Sequence, residues 1–212
     1  MPHDPHEHDH GHPHAPIEAD GPKGPYQVLA DAARGLLIEK GYFTADAMRA
    51  MIEKIDARSP ALGARIVARA WKDPAFKARL LSEGKKTILD DMDIDAVAAD
   101  IVVVENTPQT HNVVVCTLCS CYPVFILGRP PDWYKSYSYR SRAVRDPRGV
   151  LTEFGTTINP DREVRVHDST ADMRYLVLPM QPDGTDDWPE EDLAAIVTRD
   201  TMVGVAEVQV AH

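Results

Sequence analysis

A chain of 212 residues, 43% hydrophobic and 26% charged, carries enough apolar material for one or two globular domains. Its formal net charge of −10 argues against nucleic-acid binding as a main role. No apolar run reaches transmembrane length and the N-terminus lacks the apolar core of a signal peptide, so a cytoplasmic protein with no membrane association is expected.

Residues 1–24 form a tail rich in His, Pro, Asp and Gly. His3, His6, His8, His10, His12 and His14 alternate with acids and prolines. Proline and charge at this density cannot bury a core, and a disordered, solvated tail is expected. Loose capture of a transition metal by its imidazoles is the weaker functional reading.

Four helices follow in a helical arm over 25–90. Tyr26 to Lys40 sets Leu29, Ala32, Ala33, Leu36 and Leu37 along one stripe. Thr44 can cap the next helix, where Met48, Met51, Ile52 and Ile55 recur at helical spacing. Ala61 to Trp71 makes a third, and Asp73 caps a fourth with Pro74 at its first position and Gly84 as its stop. These Met and aromatic stripes read as core or interface.

Over 91–212 the period changes. Ile101 to Val104 and Asn112 to Val115 read as strands, with Asn106-Thr-Pro108 as the turn between them. Pro130-Pro131 breaks the chain, and Tyr137 to Arg148 reads as a helix carrying Arg140, Arg142, Arg145 and Arg148. An arginine run of this kind is usually a solvated face, and in an acidic protein it can also meet a partner's carboxylates. Glu163 to Val166 and Arg174 to Leu178 alternate as strands, and Glu190 to Val197 as a helix. The fold class is α+β, with helices covering a sheet.

All three cysteines fall in Cys116-Thr117-Leu118-Cys119-Ser120-Cys121, a C-x-x-C-x-C run between Val113-Val114-Val115 and Tyr122-Pro123. A redox dithiol explains a C-x-x-C but not the third thiol. Structural zinc and iron–sulfur clusters usually want four ligands, so zinc would need a distant His111 or His167. The odd cysteine count argues against a disulfide framework. Metal site, redox centre and inert packing remain open, the metal site leading. Were the cysteines metal-bound, Ser120 would leave the loop too tight for its backbone to stay clear of the ion. The peptide nitrogens of Ser120 and Cys121 would then lie beside it. Thiolate and amidate ligands together favour a trivalent, low-spin ion, and with one open position such an ion is a Lewis acid for a small substrate or water.

The stretch Val113 to Pro123 resembles the metal-binding segment of the nitrile hydratase alpha subunit, whose motif the related thiocyanate hydrolase gamma subunit shares. Similar runs extend from about Tyr26 to Val205, among them 64–74, Val104-Glu-Asn-Thr-Pro108, Trp133-Tyr-Lys-Ser136, Tyr139-Arg-Ser-Arg142, 174–179 and Val197-Thr-Arg-Asp200. The resemblance implies a helical N-terminal arm that packs on a partner, followed by an α-β-β-α layered metal-binding domain. It makes Cys116 the axial thiolate. Cys119 and Cys121 become equatorial sulfinic and sulfenic acids, in keeping with the oxidation of accessible, acidic thiols. Ser120 and Cys121 supply backbone-amide ligands. Thr117, where iron members usually have Ser, points to non-corrin Co(III) over Fe(III), and Cys119, Ser120 and Cys121 become the catalytic group.

The implied partners are one or more beta-type subunits in a heterotetramer or larger assembly, a metallochaperone-like activator and a small nitrile. The beta subunit supplies two arginines to the oxidised cysteines. The family often has Trp where this chain has Val124 followed by Phe125, and Gln near Val97, two substrate-pocket positions. Hydration of nitriles to amides is the leading reading. Thiocyanate hydrolysis to carbonyl sulfide and ammonia is the alternative, and a non-enzymatic thiolate module on the three cysteines is a third.

Overall fold

The computed structural model describes residues 24–92 and 99–210; the histidine-rich tail and Val97 lie outside them. Two units are compact in themselves, one ending at Met51 and the other beginning at Ile52. Among the described residues no helix is long and apolar enough to cross a membrane.

Helix α1 spans Pro25–Glu39 and α2 spans Ala45–Asp56. As expected, Thr44 Oγ1 accepts from Ala47 N at 3.0 Å and caps α2. Neither helix has a buried residue, and Leu29, Leu36, Met51 and Ile52 all stand exposed in this chain.

Helices α3 (Ala61–Lys72), α4 (Pro74–Ser82) and α5 (Gly84–Asp91) belong to the larger unit. Asp73 Oδ1 caps α4 by accepting from Ala75 N and Phe76 N, both at 2.9 Å, with Pro74 in the first turn where its missing N–H costs nothing. Gly84 is not the end of the helical region but the first residue of α5. A Cβ there would stand 2.5 Å from the Ile101 carbonyl, so glycine lets α5 lie directly on the next strand.

Strands β1 (Asp100–Glu105), β2 (Thr110–Val115), β3 (Glu163–Asp168) and β4 (Met173–Leu178) form two separate two-stranded sheets. β1 pairs parallel with β4, Asp100 opposite Met173 and Glu105 opposite Leu178. β2 pairs parallel with β3, Thr110 opposite Glu163 and Val115 opposite Asp168. The turn at Thr107 to Thr110 is present, closed by Thr107 N to Thr110 O at 2.9 Å, yet the strands it joins do not form one sheet. The physical reason is Asn106. Its Oδ1 accepts from Asn112 N at 2.7 Å, so a side chain takes a place a ladder bond would fill and β2 turns away to β3.

Short helices α6 (Val124–Leu127), α7 (Asp132–Lys135), α8 (Tyr137–Arg142) and α9 (Pro147–Glu153) follow β2. The helix expected over Tyr137 to Arg148 is therefore two. Pro147 cannot donate and pushes the residue before it out of the helical region, while Asp146 caps α9 through Gly149 N at 2.9 Å. Arg142 and Arg148 make bonds within the chain, while Arg145 stays exposed. Arg142 grips Glu153 with two bonds, at 2.9 and 2.5 Å, and Arg148 donates to the carbonyls of Ile158, Asn159, Pro160 and Arg162. Helices α10 (Glu190–Ile196) and α11 (Arg199–Val203) close the fold, which is α+β as expected. Ile66, Val67, Phe76 and Leu80 of α3 and α4 share one core with Val113 to Val115 and Leu176 to Leu178, each side chain contributing about 1.5–3 kcal/mol on burial.

Candidate metal centre

β2 delivers the cysteine run. Val113, Val114 and Val115 are buried, so the chain leaves the strand with Cys116 still at 0% exposure. It then rises through exposed Leu118, Cys119 and Ser120 and re-enters at half-buried Cys121 and buried Tyr122. The Sγ atoms of Cys116 and Cys119 stand 3.4 Å apart, those of Cys119 and Cys121 3.0 Å, and all three lie within 4.8 Å of one another. Two thiolates at right angles on one ion, with metal–sulfur bonds near 2.3 Å, would be separated by about 3.3 Å, against about 3.8 Å in a tetrahedron. Both short edges suit the right-angled arrangement. The donor set, three soft sulfurs converging from one tight loop, fits a thiolate-loving transition metal.

The cysteines differ electrostatically. Hydrogen bonds from the Cys121 and Cys116 thiols, helped by the backbone amides of Ser120 and Cys121, hold Cys119 down at about 7. Burial, reinforced by the neighbouring Cys119 thiol, pushes Cys121 up to about 12, with the Arg174 guanidinium opposing it. Of these two thiols, Cys119 is the more acidic. Within the run, Cys119 N donates to Cys116 Sγ at 3.3 Å.

Two side chains hold the loop in shape. Asp168 ends β3 opposite Val115 and accepts from Thr117 N at 2.9 Å and Thr117 Oγ1 at 2.5 Å. Tyr134 of α7 donates its hydroxyl to the Cys121 carbonyl at 2.8 Å. A third group, Arg140 Nη1, reaches the Thr117 carbonyl at 3.4 Å. Neither Asp168 nor Tyr134 is marked by sequence spacing; the first depends on strand register and the second on the packing of α7. Replacing Asp168 with Ala leaves the Thr117 donors without their acceptor. Metal retention is expected to weaken by about 10- to 100-fold, the usual cost of losing an outer partner of a metal ligand, as read by competition with a chelator.

The histidines considered as zinc ligands are engaged elsewhere. Asn106 Oδ1 accepts from Asn112 N at 2.7 Å and Asn112 Nδ2 at 3.0 Å, which turns Asn106 Nδ2 toward His111 Nδ1 at 3.4 Å. That nitrogen must accept, so His111 carries its proton on Nε2 and donates to the Gly204 carbonyl at 2.8 Å. Asn112 Nδ2 also donates to Glu105 O at 2.7 Å, leaving its Oδ1 to accept from His167 Nε2 at 2.8 Å. Among the described residues, the converging cluster of metal-ligating type is the three cysteines without either histidine. Val124, half-buried, opens α6 three residues beyond Cys121.

An α+β chain presenting three converging cysteines at the end of a buried strand is, by fold and site, a thiolate metal-binding protein. The family model described as "Nitrile hydratase, alpha chain" matches residues 25–206. The low-molecular weight cobalt-containing nitrile hydratase subunit alpha of Rhodococcus rhodochrous is 48% identical over 197 residues, covering 91% of this chain and 95% of the relative. A solved recombinant thiocyanate hydrolase comprising partially modified cobalt centres superposes with a TM-score of 0.81 at 40% identity, covering 88% and 91% of the two chains. A double mutant of the Fe-type nitrile hydratase from Comamonas testosteroni Ni1 gives 0.78 at 42%, covering 86% and 90%. The chain belongs to the nitrile hydratase alpha-chain family.

Proposed function

We propose that this chain is the alpha subunit of a cobalt-type nitrile hydratase, converting small nitriles to amides. The observation that carries the reading is the convergence of the Cys116, Cys119 and Cys121 sulfurs within 4.8 Å of one another, with the 116–119 and 119–121 pairs at 3.4 and 3.0 Å. Those three sulfurs and the peptide nitrogens of Ser120 and Cys121 would hold the ion. Low-spin Co(III) bound there supplies Lewis acidity toward a nitrile or water.

The chain's own groups do the rest. Cys116, fully buried, stays unoxidised, while exposed Cys119 and half-buried Cys121 are the sulfurs open to an external oxidant such as dioxygen or peroxide, which would take them to sulfinic and sulfenic acid respectively. The sulfenate oxygen of Cys121 takes a proton from water as the water oxygen joins the nitrile carbon. Two protons end on nitrogen and the product is an amide. Asp168 and Tyr134 keep the loop in place, and the loop's exposed crest admits substrate from the side a partner would cover. The apolar stripe of α1 and α2, uncovered in this chain, gives a beta-type subunit its docking surface.

A second reading, hydrolysis of thiocyanate, is favoured by the 0.81 TM-score with the cobalt thiocyanate hydrolase. Product analysis decides between them. The cobalt-loaded complex with its beta-type partner is offered a nitrile panel and thiocyanate side by side. Amide without carbonyl sulfide is the expected result; carbonyl sulfide and ammonia from thiocyanate would replace the first reading with the second.

A further inference from the structure

We propose that Tyr134 is a positioning residue of the metal loop, its hydroxyl fixing the C-terminal end of the C-x-x-C-x-C run as Asp168 fixes the N-terminal end. The inference rests on the reading of this loop as the metal site.

Four observations carry it. Tyr134 is 0% exposed, and its ring is wedged edge-on against Tyr122 (centroids 5.0 Å apart) and Trp133 (5.9 Å), so the phenol cannot swing away. The hydroxyl donates to the carbonyl of Cys121, itself one of the three converging cysteines, at 2.8 Å. That bond fixes the Cys121–Tyr122 peptide plane, and with it the backbone angle from which the Cys121 side chain departs. The loop crest between the two clamps, Leu118 to Ser120, is exposed, so no core packing defines its shape. Finally, neither clamp comes from the loop itself. Asp168 is carried by the β2–β3 register and Tyr134 by α7, so the outline of the site is set by elements outside the C-x-x-C-x-C run.

The structure supplies its own control. Tyr139, also buried and with its ring 5.7 Å from that of Tyr134, spends its hydroxyl in the same way, on the Val114 carbonyl at 2.7 Å, but inside strand β2, before the cysteine run begins. Removing either hydroxyl leaves one carbonyl short of a donor, part-buried at Cys121 and buried at Val114, so the loss to stability should be at least as large for Tyr139 as for Tyr134. Only one of them touches the loop.

The test compares Tyr134→Phe and Tyr139→Phe in the cobalt-loaded complex, reading the sulfur-to-metal charge-transfer bands, kcat, KM and Tm. Tyr134→Phe is expected to shift the bands and lower kcat about tenfold with KM within about twofold, in the range of an outer-partner loss. Tyr139→Phe is expected to lower Tm at least as much, with bands and kcat in place. Wild-type bands and kcat in Tyr134→Phe, with Tm alone reduced, would overturn the proposal. Should that variant not fold, 3-fluorotyrosine at position 134 keeps the ring and strengthens the donor, and bands unmoved by it would be equally decisive. If the wild-type complex hydrates no nitrile, the functional reading fails on its own, while the bands still decide the role of Tyr134.

Discussion

Replacing Cys121 with Ser is expected to lower nitrile turnover by about 10²–10⁴-fold, the range for loss of a positioned acid–base group. The hydroxyl is nearly isosteric, so the half-buried position should accept it and the fold should persist. What disappears is the sulfur. Serine cannot climb the oxidation ladder to a sulfenate, and its oxygen is a far poorer ligand for a soft-leaning ion. Cys116 and Cys119 remain 3.4 Å apart and can still retain some metal. Metal content and amide formation are therefore to be measured together. A metal-loaded, fully active Cys121→Ser protein would remove the sulfenate from the mechanism.

Acid should destabilise the chain through buried His111 and half-buried His167. His111 is held below its ordinary range mainly by burial, with Arg162 and Arg148 adding to the shift and the Gly204 hydrogen bond and Glu207 opposing it. His167 is lowered too, by burial and then by Arg165. Below the unfolded value of 6.5 the unfolded chain binds protons that the native chain refuses. The stabilising contribution is thus complete above that pH and is lost as pH falls toward the native-state values. One histidine can add a slope of at most about 1.4 kcal/mol per pH unit. The geometry agrees, since a proton on His111 Nδ1 would face the Asn106 amide donor. Urea unfolding across pH 5 to 8 checks this. His111→Leu should be less stable at pH 8 by about 1–3 kcal/mol for each buried partner left unpaired, yet show a shallower acid limb. An acid limb as steep as wild type would exonerate His111.

The helix starts were legible because they are local. Thr44 and Asp73 cap where a short oxygen precedes a helical stripe, and each bond spans two or three residues. The β1–β2 turn was legible for the same reason. Its outcome was not: whether two strands flanking a turn pair with each other depends on what else offers them an edge. Here β4 and β3 do so from some 50 to 70 residues away. The break at Pro147 was written in the chain but masked by the arginine spacing on either side of it.

At the site the division is similar. Three thiols in six residues, with one residue between the last two, confine the sulfurs to one small volume whatever surrounds them, so the cluster and its resemblance to a metal-binding family needed no tertiary structure. The gradient of exposure from Cys116 to Cys119 did need it, because it follows from where β2 ends against the core. So did the clamps. Asp168 and Tyr134 lie 51 and 13 residues from the loop atoms they hold. The same holds for His111 and His167, which sequence could offer as zinc ligands but only the tertiary structure ties to the Asn106–Asn112 network. Sequence determined which atoms can bind metal, since chain connectivity alone keeps them together. Tertiary structure decided how those atoms are oriented, protonated and exposed, because strand register and core packing act between residues the chain keeps far apart.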